Sequence, residues 1–423
     1  MTLSLGIDVG TSGIRSAVVD ETGKVLSMAR AAHVPQTGDT IHAEPWWHAV
    51  KSCLLEQVHT LRALGRDPGE ISALAVDGTS GSMVLVDENL KPVTRALMYN
   101  SKGFDEEAAR IAAVAPDVHI TRGSGSALGR AMRLASEDRE KRAKHLLHQA
   151  DFIAAKLTGR AGLTDHNNAL KTGFDPESGA WPDWVDQVLD AQLLPQARPV
   201  GAAFAPVLPS LRAEFGFQDN ATVYAGTTDS IAAFLAAAPA VEGNAVTSIG
   251  STLAVKVLSK QRIDDPAIGL YSHKVGDSWL VGGASNTGGA VLAKYFSVNE
   301  IVALSDQMDP LTPIGLDYYP MLRPGERFPI NDPNLQPRLT PRPDSDAEFL
   351  QGMFEGIAAI EATCYKEITA RGGKTPTQVF TAGGAAQNPK LTQIRAMALG
   401  LPLATARHEE AAVGAAMCCR IGR

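Results

Sequence analysis

The stretch LSLGIDVGTSGIRSAVVD, residues 3–20, predicts how the fold begins. Residues 3–9 are apolar and β-branched, residues 10–13 are a Gly/Thr/Ser turn, and residues 14–20 alternate as a second strand does. A further turn leads to a third predicted strand at 25–32. The chain therefore opens as a three-stranded antiparallel meander.

The same strand-turn-strand pattern returns in the second half of the chain. A short apolar strand at 246–249 is followed by the turn Gly250-Ser251-Thr252 and another apolar strand at 253–258. Helical periodicity is clear at 44–64 and again from Asp346 onward. The repeat is one of architecture rather than of residues, and it favours a duplication within the chain.

Composition excludes several classes of protein. The chain has 423 residues, of which 44% are hydrophobic and 20% charged, so it can bury large cores and is not disordered. The 39 basic and 46 acidic side chains give a net charge of −7, which is not the electrostatic footprint of a nucleic-acid-binding protein. An acidic substrate would have to be held by local backbone amides.

Cysteine usage and hydropathy predict a cytoplasmic, reduced protein. Four cysteines are too few and too scattered for a disulfide framework, and neither a CxxC pair nor an HExxH motif occurs. The N-terminus lacks the basic and apolar regions of a signal peptide. The longest apolar run, 231–241, has 11 residues, whereas a membrane span needs about 20.

Two aspartates at predicted strand ends are candidates for chemistry, each with an ordinary alternative. Asp8 precedes Gly10-Thr11-Ser12-Gly13, where free N–H groups and hydroxyls can bind phosphate and the carboxylate can hold a metal ion or a hydroxyl. The alternative is a hairpin with an Asx-type turn. Asp229, in the predicted turn 226–230, is either a general base or only the N-cap of the next helix.

Two further glycine-containing loops follow predicted strands. Residues 248–252 can form a second phosphate loop, and residues 383–388 can lie flat against an adenine or a ribose. The alternative for each is a tight turn. There is no GxxxxGK[ST] motif, and Gly123-Ser124-Gly125 lacks the third glycine of a dinucleotide fingerprint. P-loop and Rossmann-type nucleotide binding are therefore not expected.

Taken together, five motifs resemble those of a known family, in the family's order. They are Asp8-Val9-Gly10-Thr11-Ser12, Asp77-Gly78-Thr79-Ser80-Gly81, Ala225-Gly226-Thr227-Thr228-Asp229-Ser230, Ser248-Ile249-Gly250-Ser251-Thr252 and Thr381-Ala382-Gly383-Gly384. The chain resembles, end to end, an FGGY carbohydrate kinase of the sugar kinase/Hsp70/actin superfamily. Within it, the chain is similar to the short xylulose-kinase-like subgroup, whose members are similar to D-ribulose kinases.

The resemblance implies a fold and a division of labour. It implies an α/β protein of two actin-like (ribonuclease H-like) domains around a central cleft. Residues 1–236 would be the N-terminal sugar-binding domain and residues 237–423 the C-terminal nucleotide-binding domain, with the last helix able to pack back on the first domain. The partners implied are a small-molecule sugar and ATP, with no nucleic acid and no membrane, in a monomer or homodimer.

The resemblance also implies the site residues. Asp229 matches the catalytic base, and Asp8 a second catalytic carboxylate that holds Mg²⁺ through water. The residues matching substrate-binding positions are Asp8, Ser12, Gly13, Ile14, Arg15, Ser80 and Asp229. The residues matching ATP-binding positions are Thr11, Ser251, Thr252, Gly384, Ala385, Ala386, Gln387 and Asn388.

One segment bears on the choice of sugar. Many xylulose kinases show Trp-x-Asp-x-Arg after the second set of strands, whereas this chain has Met98-Tyr99-Asn100-Ser101-Lys102. The difference favours a ketopentose other than D-xylulose, and D-ribulose is the predicted acceptor. D-xylulose, another pentulose or a polyol is the alternative, and a sugar-independent regulatory ATPase of the superfamily is the rival from another class.

Overall fold

The computed structural model describes residues 2–33 and 40–421. The chain divides into two units. Unit 1 consists of Met1–Ala236, Lys274–Gly276 and Glu410–Arg423, and unit 2 consists of Ala237–His273 and Asp277–Glu409. The assignment of sugar binding to 1–236 and of nucleotide binding to 237–423 stays a prediction. Within the described ranges, no helix is both long enough and apolar enough to span a bilayer.

The first part of the chain is built mainly around one sheet. Its strands and α-helices are β1 (Leu3–Val9), β2 (Gly13–Val19), β3 (Val25–Ala32), α1 (Glu44–Ala63), β4 (Ile71–Gly78), β5 (Met83–Val86), α2 (Asp105–Ala112), α3 (Ala127–Glu137), β6 (His145–His148), α4 (Gln149–Thr158), β7 (Leu163–Asp165), α5 (His166–Lys171), β8 (Gln196–Arg198), β9 (Ala203–Pro206), α6 (Pro209–Phe215), β10 (Thr222–Thr228) and α7 (Asp229–Ala237). The main sheet has the order β3-β2-β1-β4-β10-β9. The first three strands are antiparallel, while β4 and β10 run parallel to β1.

The second part repeats this design. Its elements are β11 (Asn244–Ile249), β12 (Leu253–Ser259), β13 (Tyr271–Val275), β14 (Ser278–Ser285), α8 (Gly289–Tyr295), α9 (Val298–Ser305), α10 (Asp346–Ala370), β15 (Gln378–Ala382), α11 (Pro389–Leu399), β16 (Leu403–Thr405) and α12 (Ala411–Cys418). The sheet order is β13-β14-β12-β11-β15-β16. Again β12 is antiparallel to β11, and β15 is parallel to it. The predicted α/β fold with two related sheets is confirmed.

Each unit buries its own core. In unit 1, α1 lays the predicted apolar stripe against the sheet, with Val50, Leu54 and Leu61 fully buried. In unit 2, the long helix α10 is capped by Ser345, whose side chain accepts the N–H of Glu348, and it buries Phe354 in the core. Helix periodicity was therefore a sound guide to which faces are buried.

The helix α12 belongs to unit 1. It packs closely on β1 because the residues at the contact are small. A Cβ on Gly6 would lie 1.9 Å from the carbonyl oxygen of Ala412. A Cβ on Gly414 would lie 1.7 Å from the carbonyl oxygen of Ala232 in α7. Only glycine permits these approaches, so both positions fix how α12 seats.

Two strands of unit 1 run further than the sequence predicted. We expected the strand at 71–76 to end before Asp77 and the strand at 221–225 to turn at Gly226. Instead β4 continues to Gly78 and β10 to Thr228. The reason is tertiary pairing: β4 lies between β1 and β10, and Gly226 passes so close to Val76 that a Cβ would lie 1.8 Å from its carbonyl oxygen. The expected turns are thus buried parallel strands that carry polar side chains.

Candidate active site

Three carboxylates of unit 1 lie at the carboxyl ends of three adjacent parallel strands. Asp8 in β1 is the direct register partner of Asp77 in β4, and Asp77 is in turn the partner of Thr227 in β10. Asp229 follows β10 as the first residue of α7. Strand ends in open α/β sheets are where ligands bind. The sheet therefore brings Asp8 and Asp229, which are far apart in sequence, to the same edge, with Asp77 between them.

Asp8 is buried and only partly compensated by a cation. Arg15 Nη1 lies 3.3 Å from Asp8 Oδ2, and Arg15 Nε lies 3.2 Å from Glu410 Oε2. Burial raises the pKa of Asp8 above its ordinary value, while hydrogen bonding with Asp77 and the charge of Arg15 oppose that rise. The half-buried guanidinium of Arg15 is thus shared between a site carboxylate and a surface one.

Asp77 was not among the predicted site residues, although it lies at the centre of this cluster. Its side chain is completely buried, and neither carboxylate oxygen finds a hydrogen-bond donor among the described residues. Burial, reinforced by the charges of Asp8 and Asp229, holds the pKa of Asp77 well above its usual range. A protonated Asp77 can donate to Asp8. The signal in the sequence was the repetition of Asp8-x-Gly-Thr-Ser as Asp77-Gly78-Thr79-Ser80.

The position of Asp229 is compatible with both predicted roles, a general base and a cap at the start of a helix. Its Oδ1 accepts the backbone N–H of the next residue, Ser230, at 2.6 Å, at the start of α7. Its charge is also among the causes that raise the pKa of Asp77, which places the carboxylate close to the cluster. A carboxylate at a helix N-terminus beside buried acids can act as a proton acceptor without losing its local support.

The hairpin tip between β1 and β2 presents polar groups on its outer side. Gly10 N–H donates to the Gly13 carbonyl at 3.0 Å, and Thr11 and Ser12 are exposed. Ile14 was predicted to bind substrate, but its side chain is 1% exposed and packs in the core of unit 1. Only its backbone can take part in binding.

The loop that carries Ser80 is held rigidly from beneath. Thr79 donates through its N–H and its hydroxyl to Gln149 Oε1, at 3.0 and 2.7 Å. The Ser82 hydroxyl lies 2.6 Å from Thr79 Oγ1 and accepts the N–H of Tyr99 at 2.9 Å. The loop is thereby tied to the segment 98–102, and Ser80 stays half-buried at its outer side.

In unit 2 the turn after β11 is braced through its carbonyl groups. Gly289 and Ala290, at the start of α8, donate to the carbonyl oxygens of Gly250 and Ser251 at 2.7 and 3.2 Å. The N–H groups of Ser251 and Thr252 find no backbone acceptor in the described part of the chain. The turn therefore offers donors rather than acceptors, as phosphate binding requires.

The same turn borders a cavity of about 830 Å³ in unit 2. Ser251, Gly384, Gln387 and Asn388 all line it, opposite the apolar side chains of Phe296, Val298 and Ile301. The Asn388 side chain caps α11 through the N–H groups of Lys390 and Leu391, both at 3.0 Å, and donates to Ser305 Oγ at 2.8 Å. A mixed polar and apolar cavity of this size suits a nucleoside.

Two predicted nucleotide-binding residues cannot be placed in the same detail. Ala385 and Ala386 belong to the short 3₁₀ turn Gly384–Gln387, and their side chains lie outside the described residues. Thr252 is exposed in the turn but is not part of the cavity lining.

The carboxylates of unit 1 can be tested for their fit to magnesium. In the described ranges, no three His, Cys, Asp or Glu side chains are arranged to enclose a metal ion. Mg²⁺ in phosphoryl-transfer sites uses one or two carboxylates, keeps several waters and binds substrate phosphates. The buried Asp8 carboxylate fits that mode of binding, and Asp8 stays the predicted ligand.

Comparison with known proteins agrees with this chemistry. Residues 3–236 and 245–422 match the models of the N-terminal and C-terminal domains of the FGGY family of carbohydrate kinases. A xylulose kinase from Staphylococcus epidermidis is 24% identical over 99% of this chain and 87% of its own, and a gluconokinase from Bacillus subtilis is 22% identical over 91% and 80%. The crystal structure of a xylulose kinase from Rhodospirillum rubrum superposes with a TM-score of 0.85, at 20% identity, over 99% of this chain and 90% of its own.

Proposed function

The chain belongs to the FGGY family of carbohydrate kinases, which transfer a phosphoryl group from ATP to a sugar hydroxyl, and we propose that its acceptor is a ketopentose, D-ribulose, converted to D-ribulose 5-phosphate. The observation that carries the choice of sugar is the segment 98–102. It lacks the Trp-x-Asp-x-Arg pattern of many xylulose kinases, and the Tyr99 N–H ties it to the Ser80 loop. Because this segment contacts the loop that carries Ser80, a sequence that differs from that of xylulose kinases supports a sugar other than D-xylulose.

In this proposal unit 1 binds the sugar. Asp8, Arg15 and Ser80 hold its hydroxyl groups, with Ser12 and the backbone of Gly13 and Ile14 beside them. Arg15 is fixed between Asp8 and Glu410, so it donates without having to be ordered by the substrate. Preordered donors reduce the entropy that the substrate must lose on binding.

Asp229 is the general base of the proposed reaction. A sugar hydroxyl has too high a pKa to be deprotonated beforehand, so the carboxylate accepts the proton as the new O–P bond forms. That contribution is worth about 10²–10⁴-fold in rate. Positioning and charge neutralisation supply most of the remainder, because phosphoryl transfer leaves little covalent work to the protein.

Unit 2 binds the nucleotide in the proposal. The N–H groups of Ser251 and Thr252 face phosphate oxygens, with Thr11 of unit 1 assigned to the phosphates as well. Gly384 to Asn388 border the adenosine. Mg²⁺, held by Asp8 through water, would neutralise phosphate charge when bound. The reaction is placed in the cytoplasm, as the sequence predicts.

A coupled assay of ADP release over a panel of D-ribulose, D-xylulose, L-ribulose, ribitol and glycerol tests the proposal. We expect kcat/KM to be highest for D-ribulose. D-xylulose is the second candidate, because several relatives are named xylulose kinases. A higher kcat/KM for D-xylulose would overturn the choice of D-ribulose but not the kinase, whereas ATP turnover independent of any sugar would favour a regulatory ATPase.

A further inference from the structure

Arg130, on α3 in unit 1, is a buried cation that the reaction described above does not use. The residue is only 3% exposed. Its Nη2 donates to two backbone carbonyl oxygens, those of Tyr99 and of Gly125, the latter at 2.9 Å. The guanidinium carbon lies 6.0 Å from the ring centroid of Phe104. None of these neighbours carries a negative charge.

Arg133, one turn further along the same helix, shows what a compensated arginine looks like here. It lies over the same Phe104 ring, at 5.3 Å, and its Nε and Nη2 reach Glu107 at 2.5 and 2.9 Å. For Arg130, in contrast, Nε is buried without an acceptor, and Nη1 has none among the described residues. Burial lowers the pKa of Arg130 to about 10.

A buried ion without a counter-ion costs several kcal/mol, so one that persists calls for an explanation. Two carbonyl oxygens and an aromatic face offset part of that cost but leave the charge unpaired. Uncompensated buried charges concentrate at functional sites, where a ligand supplies the missing partner.

The position of Arg130 links it to the proposed sugar site. A Cβ on Gly81 would lie 3.1 Å from Arg130 Nη1, so the two groups are direct neighbours, and Gly81 has φ of +85°, a conformation that favours glycine. Gly81 follows Ser80 directly. Arg130 donates to the carbonyl oxygen of Tyr99, which belongs to the segment 98–102. The N–H of Tyr99 in turn donates to Ser82 Oγ. The Arg130 Nη1 atom therefore lies beside the loop that carries Ser80, close to the segment 98–102.

We propose that Arg130 is a specificity-determining residue of the acceptor site, and that its Nη1 binds a carboxylate of a sugar acid, so that a five-carbon aldonate is a ligand of this enzyme. The proposal rests on the assignment of the Ser80 loop to the sugar. With a ketopentose bound, the same Nη1 donates to a neutral oxygen, a weaker interaction because only one partner is charged. The site thus favours an acceptor or inhibitor that carries a carboxylate.

A matched pair of ligands tests this on the unmodified protein. Isothermal titration calorimetry without ATP compares D-ribonate with D-ribonamide, which has the same shape but no charge. Hydrogen bonds to charged groups are worth about 1.5–3 kcal/mol, so we expect D-ribonate to bind about 10- to 100-fold more tightly. Equal affinities, or no binding of D-ribonate, would overturn the proposal without any variant being made.

Substitution then assigns the preference to one side chain. In Arg130→Gln the preference for D-ribonate over D-ribonamide should disappear, and the KM for the ketopentose should rise while the KM for ATP is retained. Arg133→Gln is the matched control on the same helix and should keep the full preference. A preference that survives in Arg130→Gln, or that Arg133→Gln loses equally, would contradict the proposal.

The same series of variants distinguishes a loss of folding from a loss of ligand binding. If circular dichroism shows that Arg130→Gln is not folded, Arg130→Lys replaces it; a retained charge without the planar fork should give an intermediate preference. Failure of the ketopentose assay alone would reject the proposed acceptor, because ribonate binding is measured without turnover. Equal binding of D-ribonate and D-ribonamide by the unmodified protein, together with intact D-ribulose turnover, would reject only the role of Arg130.

Discussion

The two sheets share a central arrangement, in which β1 and β11 each lie between an antiparallel and a parallel neighbour, but they differ in the side chains where these strands end. In unit 1 the register pair at the ends of β1 and β4 is Asp8 and Asp77, whereas at the ends of β11 and β15 it is Ser248 and Ala382. Glycine follows in each case, at Gly10, Gly78, Gly250 and Gly383. In the proposed function, one half of this scaffold supplies carboxylates for a sugar hydroxyl and the other half supplies backbone donors for phosphates.

The halves also differ in how they bury charge. Unit 2 contains a fully buried carboxylate, Glu361 on α10, but Arg395 on α11 binds it through two hydrogen bonds, at 2.6 and 2.7 Å. Thr247 donates to the same carboxylate at 2.5 Å. In unit 1, the buried Asp77 has no ion-pair partner within the described ranges of the chain. The buried carboxylate of unit 2 is therefore paired with a cation, whereas the one at the centre of the unit 1 cluster is not.

The largest effect that would test this difference between the two units is expected for Asp229→Asn. If the carboxylates of unit 1 serve the hydroxyl, removing this proton acceptor should lower kcat by about 10²–10⁴-fold, because general-base catalysis contributes that much. ATP affinity should be retained, since Asp229 is not among the residues assigned to the nucleotide. The measurements are steady-state ADP release and nucleotide titration by intrinsic fluorescence.

Asp20→Asn is the control for that substitution. Asp20 lies in the turn between β2 and β3, where its Oδ1 accepts the N–H of Thr22 at 2.8 Å. It belongs to the same unit but to no proposed site, so its kcat should match that of the unmodified protein. Near-normal turnover in Asp229→Asn would remove Asp229 from catalysis and with it the assignment of unit 1 to the acceptor.

The second test addresses the paired charge of unit 2. Arg395→Met leaves the Glu361 side chain buried without its cation, and breaking a buried pair on one side costs about 3–5 kcal/mol. The double variant Glu361→Gln with Arg395→Met should lose less than the sum of the single changes, because neither charge is then stranded. Urea denaturation of the three variants measures the coupling.

Arg95→Met serves as the exposed counterpart. Arg95 binds Glu137 through the same two nitrogens, at 3.1 and 2.7 Å, but both side chains are about one-third exposed. Such pairs contribute about 0.2–1 kcal/mol. If Arg95→Met and Arg395→Met lowered stability equally, burial would not be what distinguishes the unit 2 pair.

The sequence predicted the local elements well where local rules decide them. The strands at 3–9 and 25–32 begin and end where expected, because alternation and turn residues set those limits. The extensions of β4 and β10 were missed because Asp77 and Gly226-Thr227-Thr228 look like turn residues. Only their neighbours in the sheet supply the pairing that makes them strand.

The site was predictable to the extent that it repeats a pattern. Asp8 and Asp229 stand out in the sequence through the glycines and hydroxyl residues beside them, although their catalytic roles stay a prediction. Arg130 could not be found in this way, because an arginine on a helix is ordinary and the sequence does not show which cations lack an anion. The segment 315–343 is bridged between Tyr319 and Arg338, and its buried Glu326 accepts hydrogen bonds from the hydroxyls of Ser285 and Tyr319.

The third test concerns a buried acid of unit 1 outside the proposed site. Asp165 caps α5 by accepting the N–H groups of Asn167 and Asn168, at 2.8 and 3.0 Å, yet burial and the charge of Asp151 raise its pKa from 3.8 to about 6. The folded protein thus holds this proton more tightly than the unfolded chain. Stability from this group is complete below pH 3.8 and is lost as the pH rises through about 6.

Asp165→Asn removes that titration and keeps an oxygen for the cap. Linkage predicts that, between pH 4.5 and 7.5, the unfolding free energy of the unmodified protein falls by about 2 kcal/mol relative to the variant. Asp87→Asn is the control of opposite sign, because Asp87 is exposed and the Lys91 N–H lowers its pKa. Urea denaturation across this pH range measures both. If the difference in unfolding free energy between Asp165→Asn and the unmodified protein did not change with pH, Asp165 would not bind its proton more tightly in the folded state. Unit 1 would then tolerate this buried side chain in its charged form.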